Sequence, residues 1–238
     1  MLTLIKYYML MNKFQRLFLL LTFTAMASVY AQQSFFDEFR KKARDCAALY
    51  VNQMETGYSP KQYVNHPYWN TDEFQKGDIC YNGFLYGDLQ LRYDTYKKHL
   101  VVITPEKQIA VCVDMRKVDY FVIQGTLFVR RDDDFMAFLY ESPHLQLYQK
   151  VSCVLGTPVE KERVNYQKFK SKTSFIFYKE GVAHTITSYS GLMKYFPGYK
   201  KLLKAYAKEQ GLSRIDRREK ALVMLLDYAD TLINNGHD

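Results

Sequence analysis

Five side chains have types and surroundings that could support binding chemistry. Tyr63, His66, Tyr68 and Trp69 share one short stretch. Aromatic rings in an irregular segment offer flat apolar faces with polar tips, which is what stacking on a sugar or a peptide requires. The competing use of the same rings is packing over a sheet edge. His184 stands between Ala183 and Thr185, on the same strand face as Val182 and Ile186. That position suits a core or interface histidine as well as a ligand contact.

Catalytic and metal patterns are absent from the sequence. The histidines at 66, 99, 144, 184 and 237 make no H-x-x-x-H or H-E-x-x-H spacing. No serine lies in a G-x-S-x-G context. Cys46, Cys80, Cys112 and Cys153 are too far apart for a C-x-x-C or zinc pattern. In an oxidising compartment they allow up to two disulfides, in any of three connectivities. A chain of this length does not need them to hold a core. Asp132, Asp133 and Asp134 follow Arg130 and Arg131. Adjacent acids point in different directions and lack the glycine of a calcium loop, so a solvated turn is expected. No catalytic residue, metal or cofactor is therefore assigned. A hydrolase would have to draw on scattered Asp, Glu and His.

The elements that must position these residues begin after an export segment. Lys13 and Arg16 form a basic region, 17–26 is apolar, and Val29-Tyr30-Ala31 supplies small residues at the −3 and −1 positions of a cleavage site. Residues 1–31 thus read as a signal peptide, with Met11 an equally good start. The apolar run is short for a membrane span. No cysteine stands at the cut, so no lipid anchor is expected. The reading places the chain in the periplasm or at the outer membrane. Removing 31 of the 238 residues leaves 207, a size for one domain. The formal charge of +8 falls to about +5, because Lys6, Lys13 and Arg16 leave with the signal. The remaining charges are scattered rather than clustered, so nucleic acid is not expected as a partner.

Helical spacing of Phe35, Phe36, Phe39, Ala43, Cys46, Ala47 and Tyr50 predicts a helix within 32–56, capped by Ser34. From Gly77 the period becomes two. Asn82-Gly83 marks a two-residue hairpin between 79–81 and 84–86. Residues 88–94 alternate, with Leu89, Leu91 and Tyr93 on one face. Strands are expected at 100–104, 108–114, 118–123, 126–131, 135–141 and 145–154. A polar loop over 156–171 should follow, then a hairpin of 175–178 and 182–187. The short connections imply a meander. Helices return at Ser190: Pro197 breaks the first, Gly211 stops the second, and Asp216 caps a last one. The lysines of the middle helix could face a membrane, although solvated lysines on a packed helix are the ordinary outcome.

The expected fold is α+β: a curved antiparallel β-meander of about 8–10 strands, barrel-like in its curvature. An N-terminal helix (32–56) and a C-terminal helical unit (190–238) flank the β domain (57–189). No transmembrane segment is expected in the mature chain.

The stretch from His66-Pro67-Tyr68-Trp69-Asn70-Thr71-Asp72-Glu73-Phe74 to Gly77, followed by Leu91-Arg92-Tyr93-Asp94-Thr95-Tyr96, resembles an exported Bacteroidota protein family. That family carries "PYL-n-DEF-x-x-G" and "lRYn-x-Y" segments and a Lys-rich helical tail. Here Trp69 replaces the usual Leu, and Lys97-Lys98-His99 replaces an acidic turn. The resemblance implies an envelope location and assigns no catalytic residue. The expected function is that of a non-enzymatic binding or accessory protein for an apolar, glycan or peptide ligand or an envelope protein. The alternatives are an envelope hydrolase and a structural subunit of an assembly.

Overall fold

The computed structural model describes residues 48–161, 163–215 and 217–236. The signal peptide, Cys46, Asp216 and most of the expected N-terminal helix lie outside them. Ala48–Tyr50 form a 3₁₀ turn. Met54 already pairs as an extended bridge with Val111, so helix does not reach the end of 32–56.

Ten strands form one antiparallel sheet: β1 (Gln75–Tyr81), β2 (Phe84–Asp94), β3 (His99–Ile103), β4 (Ala110–Cys112), β5 (Val118–Ile123), β6 (Thr126–Arg131), β7 (Asp134–Glu141), β8 (Leu145–Leu155), β11 (Phe169–Lys179) and β12 (Val182–Ile186). The spatial order is β12-β11-β8-β7-β6-β5-β1-β2-β3-β4. Two meanders therefore run outward from the central β1–β5 pair. The sheet is open, with β12 and β4 as its edges.

Local chemistry explains most boundaries. Asn82 and Gly83 both take positive φ (52° and 76°), the geometry of a tight hairpin whose twist matches its strands. Asp132 and Asp133 do the same between β6 and β7. The expected strands 84–86 and 88–94 are one strand, kinked at Asp88, whose φ is 55°. The expected loop over 156–171 is wrong in two places. A small hairpin of β9 (Val159–Lys161) and β10 (Val164–Tyr166) occupies its middle, and β11 starts at Phe169. The first half of β11 exposes Lys170, Ser171, Lys172 and Thr173, so no apolar alternation announces it. Backbone pairing along the whole of β8, from Phe169 opposite Leu155, builds it instead.

The connection from β4 to β5 dictates the shape. Only residues 113–117 join the edge strand to the centre. In a flat sheet these strand ends would stand roughly 30 Å apart, whereas five residues reach about 20 Å. The sheet must coil. Contacts across the coil confirm it: the Tyr93 ring on β2 lies 5.2 Å from Phe121 on β5 and 5.6 Å from Phe128 on β6. Phe121 and Phe128 stack at 4.7 Å. The Thr95 carbonyl after β2 accepts a 3.3 Å hydrogen bond from the Cys153 N–H on β8, five places along the sheet.

Asp134 fastens this arrangement. It is 7% exposed, not in the solvated turn expected for the acidic run. Its Oδ2 lies 2.9 Å from both Lys98, beside β3, and Lys150 on β8. Burial pushes this carboxyl up, but the two ammonium groups outweigh it and hold it below the usual carboxylate range.

Three helices cover one end of the sheet: α1 (Tyr189–Leu192), α2 (Lys200–Glu209) and α3 (Arg218–Asn234). Leu192, Phe196, Leu203, Leu222, Leu225 and Leu226 close over Leu145 and Leu147 of β8 and Phe175 and Phe177 of β11. Gly211 takes a left-handed φ of 60° and ends α2, as expected from its position. The residue before α3 is Arg217, which makes no side-chain cap.

Gly77 sits at a bulge in β1. A Cβ there would overlap the Val122 carbonyl oxygen of β5 and the Leu91 side chain of β2. Gly77→Ala is expected to cost about 3 kcal/mol in urea unfolding, and wild-type stability in the variant would refute this account of the bulge. The lowered Asp134 value has a definite sign. Its stabilisation is fully present above the unfolded carboxylate value of about 3.9 and is lost as pH falls through the lower folded value. Asp134→Asn should flatten the acid limb of a stability–pH curve and cost about 1 kcal/mol at neutral pH, because Lys98 is half exposed.

Candidate functional site

The aromatic segment is pinned on both sides. On one side Asn65 exchanges two 2.8 Å hydrogen bonds with the Phe169 backbone at the start of β11. Val64 N–H donates to the Gln167 carbonyl at 3.1 Å. On the other side the Trp69 N–H donates to the Tyr93 carbonyl at 2.9 Å, and the Thr95 hydroxyl donates to the Pro67 carbonyl at 2.6 Å. Residues 63–69 thus lie across the end of the coil between β2 and β11. Pro67 and Tyr68 of this irregular stretch can be buried there because its backbone groups find partners on both strands.

Beneath the segment is a polar network. Arg92 pairs with Glu55 at 2.6 Å, and Glu55 also accepts 2.8 Å from the Tyr68 hydroxyl. The Arg92 guanidinium lies 3.9 Å from the Tyr68 ring centre and 4.3 Å from that of Phe74. Phe74 therefore supports this cation rather than entering the core. The Tyr58 hydroxyl donates 2.7 Å to Asp94, which is almost fully buried. Burial first, then the bond to Asp94, pushes the Tyr58 phenol far above its ordinary value. Burial and the bond to Glu55 do the same to Tyr68.

Of the residues singled out by type, the structure brings four together. Tyr68 is buried and presents one face to the His66 ring at 5.9 Å. Tyr63 stacks on Phe169 at 5.0 Å. Trp69 is half-buried and meets Phe128 edge-on at 5.1 Å. His184 belongs elsewhere: it sits on edge strand β12, with its ring 4.3 Å from that of Tyr195.

Two clefts of about 450 Å³ each flank His66. One is lined by Tyr58, Tyr63, Tyr68 and Arg92, whose polar groups are mostly committed to the network above. The other runs between the aromatic segment and the start of α3. Its walls are His66, Trp69 and Asn70 on one side and Arg217 and Glu219 on the other. Its floor is sheet: Gln149 and Val151 of β8, Ser171 and Thr173 of β11. Register explains this floor. The residues of β8 on this face run Leu145, Leu147, Gln149, Val151, Cys153, and those of β11 run Phe177, Phe175, Thr173, Ser171, Phe169. Leu147 pairs with Phe177 under the helices, and Phe169 lies under the segment. Between them Gln149 pairs with Phe175, Thr173 with Val151 and Ser171 with Cys153, so each rung of the interval carries one polar residue.

Those floor residues were not foreseen. Gln149 is a single polar position within an apolar stripe, which is the signal that could have found it. Ser171 and Thr173 fell in the stretch expected to be loop. Chemically the cleft offers the amides of Asn65, Asn70 and Gln149, the hydroxyls of Thr126, Ser171 and Thr173, and the rings of His66, Tyr68 and Trp69. Glu219 is the single carboxylate among its described lining residues and is paired with Arg217 at 2.7 Å. Among the described residues no group of three or more His, Cys, Asp or Glu side chains could hold a metal ion. No helix among them is long and apolar enough to cross a membrane. No family model, no curated protein and no solved structure matches this chain.

The two raised phenols have a testable sign. Below the ordinary tyrosine value near pH 10 both are protonated in either state, and their stabilisation is fully present. Above it the unfolded chain ionises first, so stability falls as pH climbs toward the folded values. Tyr58→Phe and Tyr68→Phe should each make the decline above about pH 10 shallower in urea titrations across alkaline pH. A slope as steep as wild type in both variants would contradict the assignment.

Proposed function

We propose that this chain is an exported, non-enzymatic binding protein of the cell envelope that seats an uncharged glycan or peptide in the cleft between His66, Trp69 and the start of α3. The observation that carries the reading is the polar interval Gln149, Ser171 and Thr173 on an otherwise apolar inner sheet face, bordered by aromatic rings. Ser171 and Thr173 are exposed to solvent and Gln149 is half-buried, so a ligand that covers them must replace their hydrogen bonds to water. A ligand with polar groups and an apolar ring face supplies both halves of that complement. In this reading the coiled sheet acts as a barrel-like frame. The export segment and the resemblance to exported Bacteroidota proteins supply the location, in the periplasm or at the outer membrane.

A second reading has an observation behind it. Phe84 and Leu85, beside the β1–β2 turn, are 69% and 66% exposed. Such a tip suits a subunit that inserts into an envelope assembly.

Trp69 is the single tryptophan of the chain, so its emission reports on the cleft. Titration with neutral oligosaccharides and short uncharged peptides should give a saturable change for one class. Thr173→Val and Gln149→Ala should each weaken it about tenfold, the worth of one good hydrogen bond. No saturable change with either class, or unaltered affinity in both variants, would remove the binding reading. Native mass spectrometry showing a protein complex that Phe84→Ser dissociates would favour the subunit reading instead.

A further inference from the structure

The charge of this chain is concentrated in one segment, contrary to the scattered distribution expected from the sequence. Residues 194–220 contain nine Lys and Arg and three Asp and Glu, a net of +6 within a chain of +8. Helix α2 lies within this segment and sorts its charges by face. Leu203 and Ala207 are buried against the sheet core, while Lys200, Lys201, Lys204 and Lys208 are exposed. At 3.6 residues per turn those four lysines fall within about 100° of helix circumference. Glu209, the one acid of the helix, lies outside that arc. None of the four ammonium groups forms an ion pair among the described residues, in contrast to Lys98 and Lys150. Leu202, 44% exposed, lies outside the arc on the same side of the helix as Glu209.

We propose that this lysine face of α2 docks the protein on an anionic lipid surface. A row of unpaired ammonium groups on a helix held rigidly from behind meets a plane of negative charge without reorganising. Lysine is a compact, hydrated point charge, whereas bidentate reading of a particular phosphate calls for arginine. The apolar lysine stems can lie along the headgroup boundary while their ammonium groups reach the lipid phosphates. Each lysine near such a surface raises binding about fivefold, so four together give several hundredfold. That attraction acts within a Debye length of about 8 Å at physiological salt and fades as salt is added. The proposal does not depend on the cleft or its ligand.

The test is co-sedimentation of the protein, isolated from its own cells, with vesicles of phosphatidylcholine alone or with phosphatidylglycerol as about one lipid in three. Binding should require phosphatidylglycerol and weaken as salt rises. The variant with Lys200, Lys201, Lys204 and Lys208 all changed to Gln should lose at least tenfold in affinity, about the loss of two or more such lysines. A control with Lys61, Lys76, Lys107 and Lys168 changed to Gln removes the same charge from exposed sites on the β domain and should bind like wild type. Circular dichroism confirms that both variants keep their helices. Equal loss in the two variants would make binding a matter of net charge and overturn the proposal. So would wild-type binding that ignores phosphatidylglycerol, or displacement from the vesicles by duplex DNA at equimolar charge.

Discussion

Residues 113–117 connect an edge strand to the middle of the sheet, and much of the molecule follows from how little chain they provide. The sheet coils because those residues cannot span it flat. Coiling brings Tyr93 against Phe121 and Phe128, although β2 and β6 are not neighbours. It brings Lys98 and Lys150 onto one buried carboxylate. At the bulge of β1, its pairing with β5 and β2 leaves position 77 no room for a side chain. These features support one another: aromatic burial stabilises the coil, and the Asp134 pairings fasten its open side.

A coiled sheet has an inner face that must be apolar wherever it is covered, and the cover here comes in two separate pieces. The C-terminal helices take the end of β8 and β11 marked by Leu145, Leu147, Phe175 and Phe177. The segment around His66 takes the opposite end, over Phe169. Between them the same strands carry Gln149, Ser171 and Thr173. A fully buried sheet face with those residues would leave their polar groups unpaired, at a cost of a few kcal/mol each. The cleft is thus the place where composition and cover agree. Its aromatic wall is stiff because Tyr68 is locked from behind by Glu55 and Arg92.

Legibility differed by element for identifiable reasons. Turns with a specific backbone requirement were readable, as at Asn82-Gly83 and between β11 and β12, where Gly181 takes a φ of 79°, because few residues tolerate positive φ. Strands with one wet face and one dry face, such as β2 and β5, were readable from alternation. The first half of β11 was not, since its side chains are polar on both faces and only the backbone of β8 holds it in the sheet. Asp134 was misread for a related reason: its neighbours suggest a solvated acidic turn, while its partners lie 36 and 16 positions away in sequence.

Taken alone, the sequence determined the order of most sheet strands and of the C-terminal helices, several hairpin turns, the apolar stripes of the C-terminal helices and the aromatic stretch 63–69 as a place where binding chemistry could collect. Each of these depends on interactions between residues close along the chain. Only the tertiary structure decided how the expected curvature brings distant strands together, that Tyr63, His66, Tyr68 and Trp69 gather while His184 stays apart, and that a polar floor lies beside them. Those outcomes rest on pairings such as Asn65 with Phe169, 104 positions apart. Local spacing carries no record of such contacts, because they form only when the whole coil closes around its aromatic core.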